Sequence, residues 1–122
     1  MAEPGVEMAL GVVRDEQFGP LVLAAAGGSL VEVLRDRSLG LPPLDHAAAV
    51  RLVDALAVRP ILDGVRGAPP ADVGALVDAV VRLSVLAQDL GDLLNELDVN
   101  PLIVGPHGAV AVDALVIPRR ND

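Results

Sequence analysis

Residues 95–117, NELDVNPLIVGPHGAVAVDALVI, carry three carboxylates and an amide on two apolar runs. The runs flank Gly105–Pro106–His107–Gly108, the composition of a tight hairpin turn. With Val104 set opposite Ala109, each step back along the first strand meets a step forward along the second. Asn100 then faces Asp113, and Asp98 faces Leu115. Side chains alternate between faces of a strand, so Glu96, Asp98, Asn100 and Asp113 gather on one face. The opposite face holds Val99, Ile103, Val110, Val112, Ala114 and Val116, which read as a core layer. No Lys or Arg lies on either strand to neutralise the acids. Opposed carboxylates in a sheet repel unless a cation or solvent separates them. Hard oxygen ligands suit Mg²⁺, which takes one or two carboxylates and fills its shell with phosphate oxygens and water. The alternative is a solvated polar face. Asp113 weighs toward the metal, because it stands inside a strand with four apolar residues on each side. The pairing is a matter of register, since a slip of one residue carries Asp113 to the other face.

Other residues offer weaker chemistry. Glu7 and Glu32 are single acids within apolar strands, either ligand contacts or outward-facing strand residues. Arg14 and Arg66 suit paired bonds to phosphate oxygens, or surface ion pairs. Gly27–Gly28 either lets backbone approach a nucleotide or makes a plain turn. His46 and His107 are too far apart in the chain to suggest a zinc cluster, and both read as solvated.

The elements that must position these residues follow from periodicity. Residues 6–14, 21–25 and 30–34 read as strands, with the turn Asp15–Pro20 between the first two. Residues 35–43 form a loop containing a short extended piece. Asp45 reads as an N-cap to a helix carrying Ala49, Leu52, Val53 and Leu56. A second helix near 71–90 carries the stripe Val73, Leu76, Val77, Val80, Leu83, Ala87 and Leu90, with Pro69–Pro70 before it. Residues 94–104 and 109–117 complete the set. Three strands, two helices and two strands joined by short turns predict an α+β domain. Its sheet is mostly antiparallel, with both helices packed on one face.

The 122 residues suffice for a single domain, 1–122. Hydrophobic residues make up 52%, yet Phe18 is the only aromatic, so the core is Val, Leu, Ile and Ala. The nine basic residues are all Arg and stand against 17 acids, a net charge of −8. That argues against nucleic acid and against anionic membranes. With no Cys there is no disulfide, thiolate site or cysteine nucleophile. The apolar runs are too short to span a bilayer. MAEPGVEMALG lacks the pattern of a signal peptide, so the expected location is cytoplasmic.

Five stretches, in order, resemble the second half of the ATP-grasp domain of NDP-forming acyl-CoA synthetases, a group that includes ADP-forming acetate–CoA ligases. They are Gly5–Met8 with Gly11–Asp15 and Phe18–Pro20, then Gly27–Gly28 with Val31–Leu34, then Arg66–Asp72. Glu96–Leu102 and Val112–Ala114 complete the set. The resemblance implies an ATP-grasp C-terminal subdomain that binds Mg²⁺ with ATP or ADP. It implies Asn100 and Asp113 as metal ligands and Asp98 as the acid near a phosphohistidine relay. Glu7, Arg14, Gly27, Gly28 and Glu32 are implied as parts of the nucleotide cleft. The implied reaction joins a carboxylic acid to coenzyme A, coupled to ATP/ADP interconversion through an acyl phosphate and a phosphohistidine. Two positions depart from the family: Ala25 stands for a third glycine, and Glu16 for a proline. Ala25 is expected to crowd the approach of backbone to phosphate.

The family's phosphate-binding lysine belongs to a first subdomain, and this chain has no Lys. The chain therefore reads as a fragment or separately encoded half, inactive alone. Its expected partners are nucleotide, an N-terminal ATP-grasp subdomain and a CoA-binding domain. Alternative readings are a regulatory ATP-grasp-like module of a protein acetyltransferase, and a standalone domain that forms homo-oligomers through its uncovered face.

Overall fold

Alternating residues build the first hairpin of the structure, a computed structural model that describes residues 5–27, 36–64 and 67–120. Strand β1 (Val6–Asp15) turns into β2 (Gly19–Ala26). The Asp15 carboxylate closes the turn by accepting from the Gln17 and Phe18 amides at 2.8 and 3.0 Å. Gly19 then takes a φ of 76°, a region that favours glycine. The extended piece expected in the 35–43 loop is β3 (Arg37–Gly40), which pairs with the outer edge of β2. Strand β4 (Leu94–Gly105) pairs with the other edge of β1. Two short strands, β5 (Gly108–Ala111) and β6 (Ala114–Pro118), line up along the far edge of β4. Every pairing among the described residues is antiparallel, in line with the mostly antiparallel sheet expected. The strand expected at 30–34 lies outside the described residues.

Asp45 caps α1 (His46–Asp54) by accepting from the Ala48 amide at 2.8 Å. Asp72 caps α2 (Val73–Leu90) through the Ala75 amide at 3.0 Å. Two 3₁₀ turns, Arg59–Asp63 and Gly91–Leu93, follow the helices. In the first, Arg59 bridges Asp54 and Asp63 at 2.9 Å each. The hydrogen bond to Asp63, helped by Asp54, raises the Arg59 pKa above its ordinary value.

Both helices pack on one face of the sheet. Met8, Leu10, Val12, Val22, Ala24 and Ala26 point from β1 and β2 into the same core as Leu52, Val53, Leu76, Val77 and Val80. Ser84, inside the α2 stripe, is buried because its hydroxyl serves the backbone. It accepts from the Leu44 amide at 3.1 Å and donates to the Val81 carbonyl at 2.9 Å. Among the described residues no helix is long and apolar enough to cross a membrane.

The predicted hairpin register holds, with Val104 opposite Ala109 and Asp98 opposite Leu115. The predicted core layer does not. Met8 pairs with Leu102, but Leu10 pairs with Val99, so two steps along β1 match three along β4. This bulge at Asn100–Pro101 inverts the face assignment along the strand. Leu97 and Val99 before it, and Leu102 and Val104 after it, meet the core. Ile103 and its partner Val110 turn to the other side. The expected strand 109–117 breaks at Val112–Asp113, and most of its apolar residues beyond Ala109 stand exposed. Val112 is 62% exposed and Val116 53%.

Candidate functional site

The sheet face away from the helices carries the polar chemistry. Odd-numbered residues of β1, β2 and β3 point there, opposite the core-facing even set. Arg37, Ala25 and Ala9 lie side by side across three strands. The bulge of β4, with Asn100, comes next. A second row runs Leu23, Gly11, Asp98 and Leu115 across β2, β1, β4 and β6. From these rows Ala9, Leu23, Ala25, Arg37, Asp98 and Asn100 line an open cavity of about 440 Å³. Its floor is Ala9 and Ala25, both buried. One wall is Asp98 and Asn100; the other is Asp36 and Arg37.

The backbone explains why these groups fit together. A Cβ on Gly11 would stand 2.7 Å from the Leu97 carbonyl oxygen, so this position beside Asp98 takes no side chain. At the bulge, the Asn100 amide donates to the Asp113 carbonyl at 3.2 Å, and the Val112 amide to the Pro101 carbonyl at 3.0 Å. Asn100 and Asp113 are thus backbone neighbours, as the register predicts. The Asp113 side chain is exposed, accepts from the Ala114 amide at 2.9 Å, and lies outside the cavity lining. Among the described residues no three His, Cys, Asp or Glu side chains are placed to hold a metal. Glu96, Asp98 and Asp113 therefore do not form the joint acidic cluster that strand alternation suggests.

The remaining predicted residues separate. Glu7 is exposed on the same face beyond the cavity, and its carbonyl accepts from the Gly27 amide at 2.9 Å. Gly27 is buried where a Cβ would come within 2.9 Å of the Glu7 backbone, so its glycine serves strand contact. Arg14 acts in this fold as a structural tie. Its guanidinium donates to the Leu94 carbonyl at 2.8 and 3.1 Å and also to the Gly91 carbonyl. It joins β1 to the end of α2 and does not line the cavity. Gly28, Glu32 and Arg66 lie outside the described residues.

Sequence reasoning missed Asp36 and Arg37. Asp36 is buried, and its carboxylate accepts from the Ala57 and Val58 amides at 2.7 and 2.8 Å. No local pattern announces that bond, because its partners lie about 20 residues further on. Arg37 likewise had no local signal, because Arg37–Ser38–Leu39–Gly40 shows no polar–apolar alternation in sequence although its burial alternates.

The chain matches the ATP-grasp domain family over residues 1–117. It belongs to that family. It is 40% identical over 119 residues to the beta subunit of ADP-forming acetate–CoA ligase II from Pyrococcus furiosus, covering 96% of this chain and 50% of that one. It is 42% identical over 123 residues to a trans-feruloyl-CoA synthase from an unknown prokaryotic organism, covering 98% of this chain and 17% of that protein. Among solved structures, the dinucleotide forming acetyl-coenzyme A synthetase 1 of Ca. Korarchaeum cryptofilum superposes with a TM-score of 0.89 at 38% identity. The match covers 98% of this chain and 55% of that one. That enzyme was captured with coenzyme A and Mg-AMPPCP, its phosphohistidine segment pointing towards the nucleotide binding site. The chain spans about half the length of the ligase subunit it matches. The ATP-grasp fold and the kinship with ADP-forming acyl-CoA synthetases follow.

Proposed function

We propose that this chain is the nucleotide- and Mg²⁺-binding second half of the ATP-grasp domain of an ADP-forming acyl-CoA synthetase. The observation that carries the reading is the cavity wall of Asp98 and Asn100, in a chain whose relatives are ADP-forming CoA ligases. The donor set fits the metal. Mg²⁺ is held by one or two protein oxygens and takes the rest of its shell from phosphates and water. A wall with one carboxylate and one amide, and no full protein cage among the described residues, matches that habit. Asn100 on the wall, and Asp113 at the strand break beside it though outside the lining, would hold the ion, which when bound would neutralise charge on the phosphates. Asp98, flanked by Gly11 and Leu115, presents its carboxylate beside the same space and is the acid assigned to the phosphoryl-transfer position. In this reading Glu7 contributes to the nucleotide cleft from beyond the cavity, with Gly27 held against its backbone.

The chain's own work is to bind and orient the nucleotide. The relay histidine, the CoA site and the first ATP-grasp subdomain come from elsewhere in the complete enzyme. The acid substrate differs among relatives, acetate in one and ferulate in another. The second reading, a regulatory module of a protein acetyltransferase, draws on Ala25, whose methyl occupies the cavity floor where the family has glycine.

Calorimetric titration with ATP, with and without Mg²⁺, tests the proposal. Binding should need Mg²⁺, and Asn100→Ala or Asp113→Asn should remove that requirement along with most of the affinity. Equal binding in EDTA would overturn the metal assignment. In a full-length enzyme, turnover that survives Asp113→Asn would do the same.

A further inference from the structure

Arg37 stands across the cavity from the proposed metal wall, and among the described residues its side chain makes no hydrogen bond or ion pair. It is exposed at the start of β3, opposite Ala25. The adjacent acid is not its partner, because both Asp36 oxygens are taken by the Ala57 and Val58 amides. Among the described residues that line the cavity, Arg37 is the single cation. It sits on a chain of net charge −8, which otherwise repels polyphosphate. Three strand spacings separate β3 from β4, about 14 Å of backbone distance, and the long Arg side chain shortens that gap. Among the described residues the floor between them is the buried pair Ala9 and Ala25, which carry no polar side chain.

We infer that Arg37 binds the phosphoryl group of the cavity's ligand, while Asp98 and Asn100 face the cation at the opposite wall. The inference rests on the nucleotide reading of this cavity. A guanidinium offers a planar fork of donors matched to phosphate oxygens, which a carboxylate wall cannot supply. The phosphoryl group has two possible sources with the same chemistry. One is the terminal phosphate of the nucleotide. The other is a phosphorylated histidine arriving from another segment.

NMR titration of the isotope-labelled 122-residue chain tests this even at weak affinity. The probes are Mg·AMPPCP, Mg·ADP and phosphoramidate, the last standing for a phosphohistidine. The wild-type chain should show saturable shifts of the Ala9 and Ala25 methyls. Arg37→Ala should weaken the ligand that Arg37 holds by about tenfold, the loss of one charge-assisted contact. Arg37→Lys should fall between the two, because it keeps charge without the fork. Arg37→Gln serves if the alanine variant is poorly folded. Loss confined to Mg·AMPPCP identifies the nucleotide's terminal phosphate, and loss shared with Mg·ADP an inner one. Loss confined to phosphoramidate identifies the phosphorylated side chain. All three ligands within about twofold of wild type would overturn the Arg37 assignment while leaving the nucleotide site intact. No saturable shift at Ala9 or Ala25 in the wild type would overturn both.

Discussion

Removing the Asp36 carboxylate should unfold more of this protein than its place in a surface loop suggests. Asp36 lies just before β3, and its two oxygens hold the amides of Ala57 and Val58 at 2.7 and 2.8 Å. The Val58 bond is fully buried and the Ala57 bond partly so. Hydrogen bonds to a charged acceptor contribute about 1.5 kcal/mol or more each, and a buried donor left unpaired costs the same order. Asp36→Ala should therefore cost about 3 kcal/mol, a large share of the 5–15 kcal/mol typical of such domains. With a urea slope of about 1.5 kcal/mol/M, the midpoint falls by about 2 M. The chain has no Trp or Tyr, so far-UV circular dichroism is the signal to follow. Asp36→Asn retains one acceptor oxygen but turns an NH₂ toward an N–H, and should lose at least half as much. A loss below about 1 kcal/mol for Asp36→Ala would refute the reasoning, because it would mean that water replaces the carboxylate. Since the same residue immediately precedes the strand bearing Arg37, the variant should also weaken nucleotide binding before it unfolds.

Three further outcomes are expected. Gly27→Ala should lower the melting temperature, because its Cβ would meet the Glu7 backbone at 2.9 Å and the strand must move; an unchanged melting temperature would contradict the close approach. Arg14→Ala should cost about 2 kcal/mol in urea unfolding through its lost bonds to the Leu94 and Gly91 carbonyls. Its nucleotide affinity should stay unchanged, and a fall in affinity in a folded variant would restore the phosphate role. The chain should self-associate at high concentration through β5 and β6, where Val110, Val112, Leu115 and Val116 stand exposed on an edge without Lys. Val116→Lys should shift sedimentation to monomer, and a strictly monomeric wild type would sink the idea.

The helices were legible because each signal was local. Asp45 and Asp72 precede apolar stripes of helical period, and both act as caps. The hairpin register was legible for the same reason, since a four-residue turn with two glycines dictates which residues face each other. The core layer on that hairpin was not. Alternation counts residues, and one extra residue at Asn100–Pro101 inverts the faces on either side of it. The bulge is defined against β1, so counting along β4 alone does not place it. Proline in a mid-sheet strand was the available clue, because it cannot donate to a ladder and so sits at edges or bulges.

The bulge also shapes the site. Had β4 run in unbroken register, Ile103 would have stayed on the core face with Val99, and Leu102 and Val104 would have faced the cavity side. The extra residue sends Leu102 and Val104 into the core, closing it against Met8. It also widens the sheet at Asn100, where no β1 residue stands directly opposite, and Asn100 comes to line the cavity with Asp98. The break in the neighbouring strand at Val112–Asp113 falls beside it, and the Asn100 amide turns to the Asp113 carbonyl there. A sheet that must keep an apolar core on one side and present oxygen ligands on the other meets both demands by interrupting two strands at the same point. The residues implied as metal ligands, Asn100 and Asp113, are the ones at that interruption. The sequence positions alone could suggest the pair; only the irregular backbone explains why that point is open to a ligand.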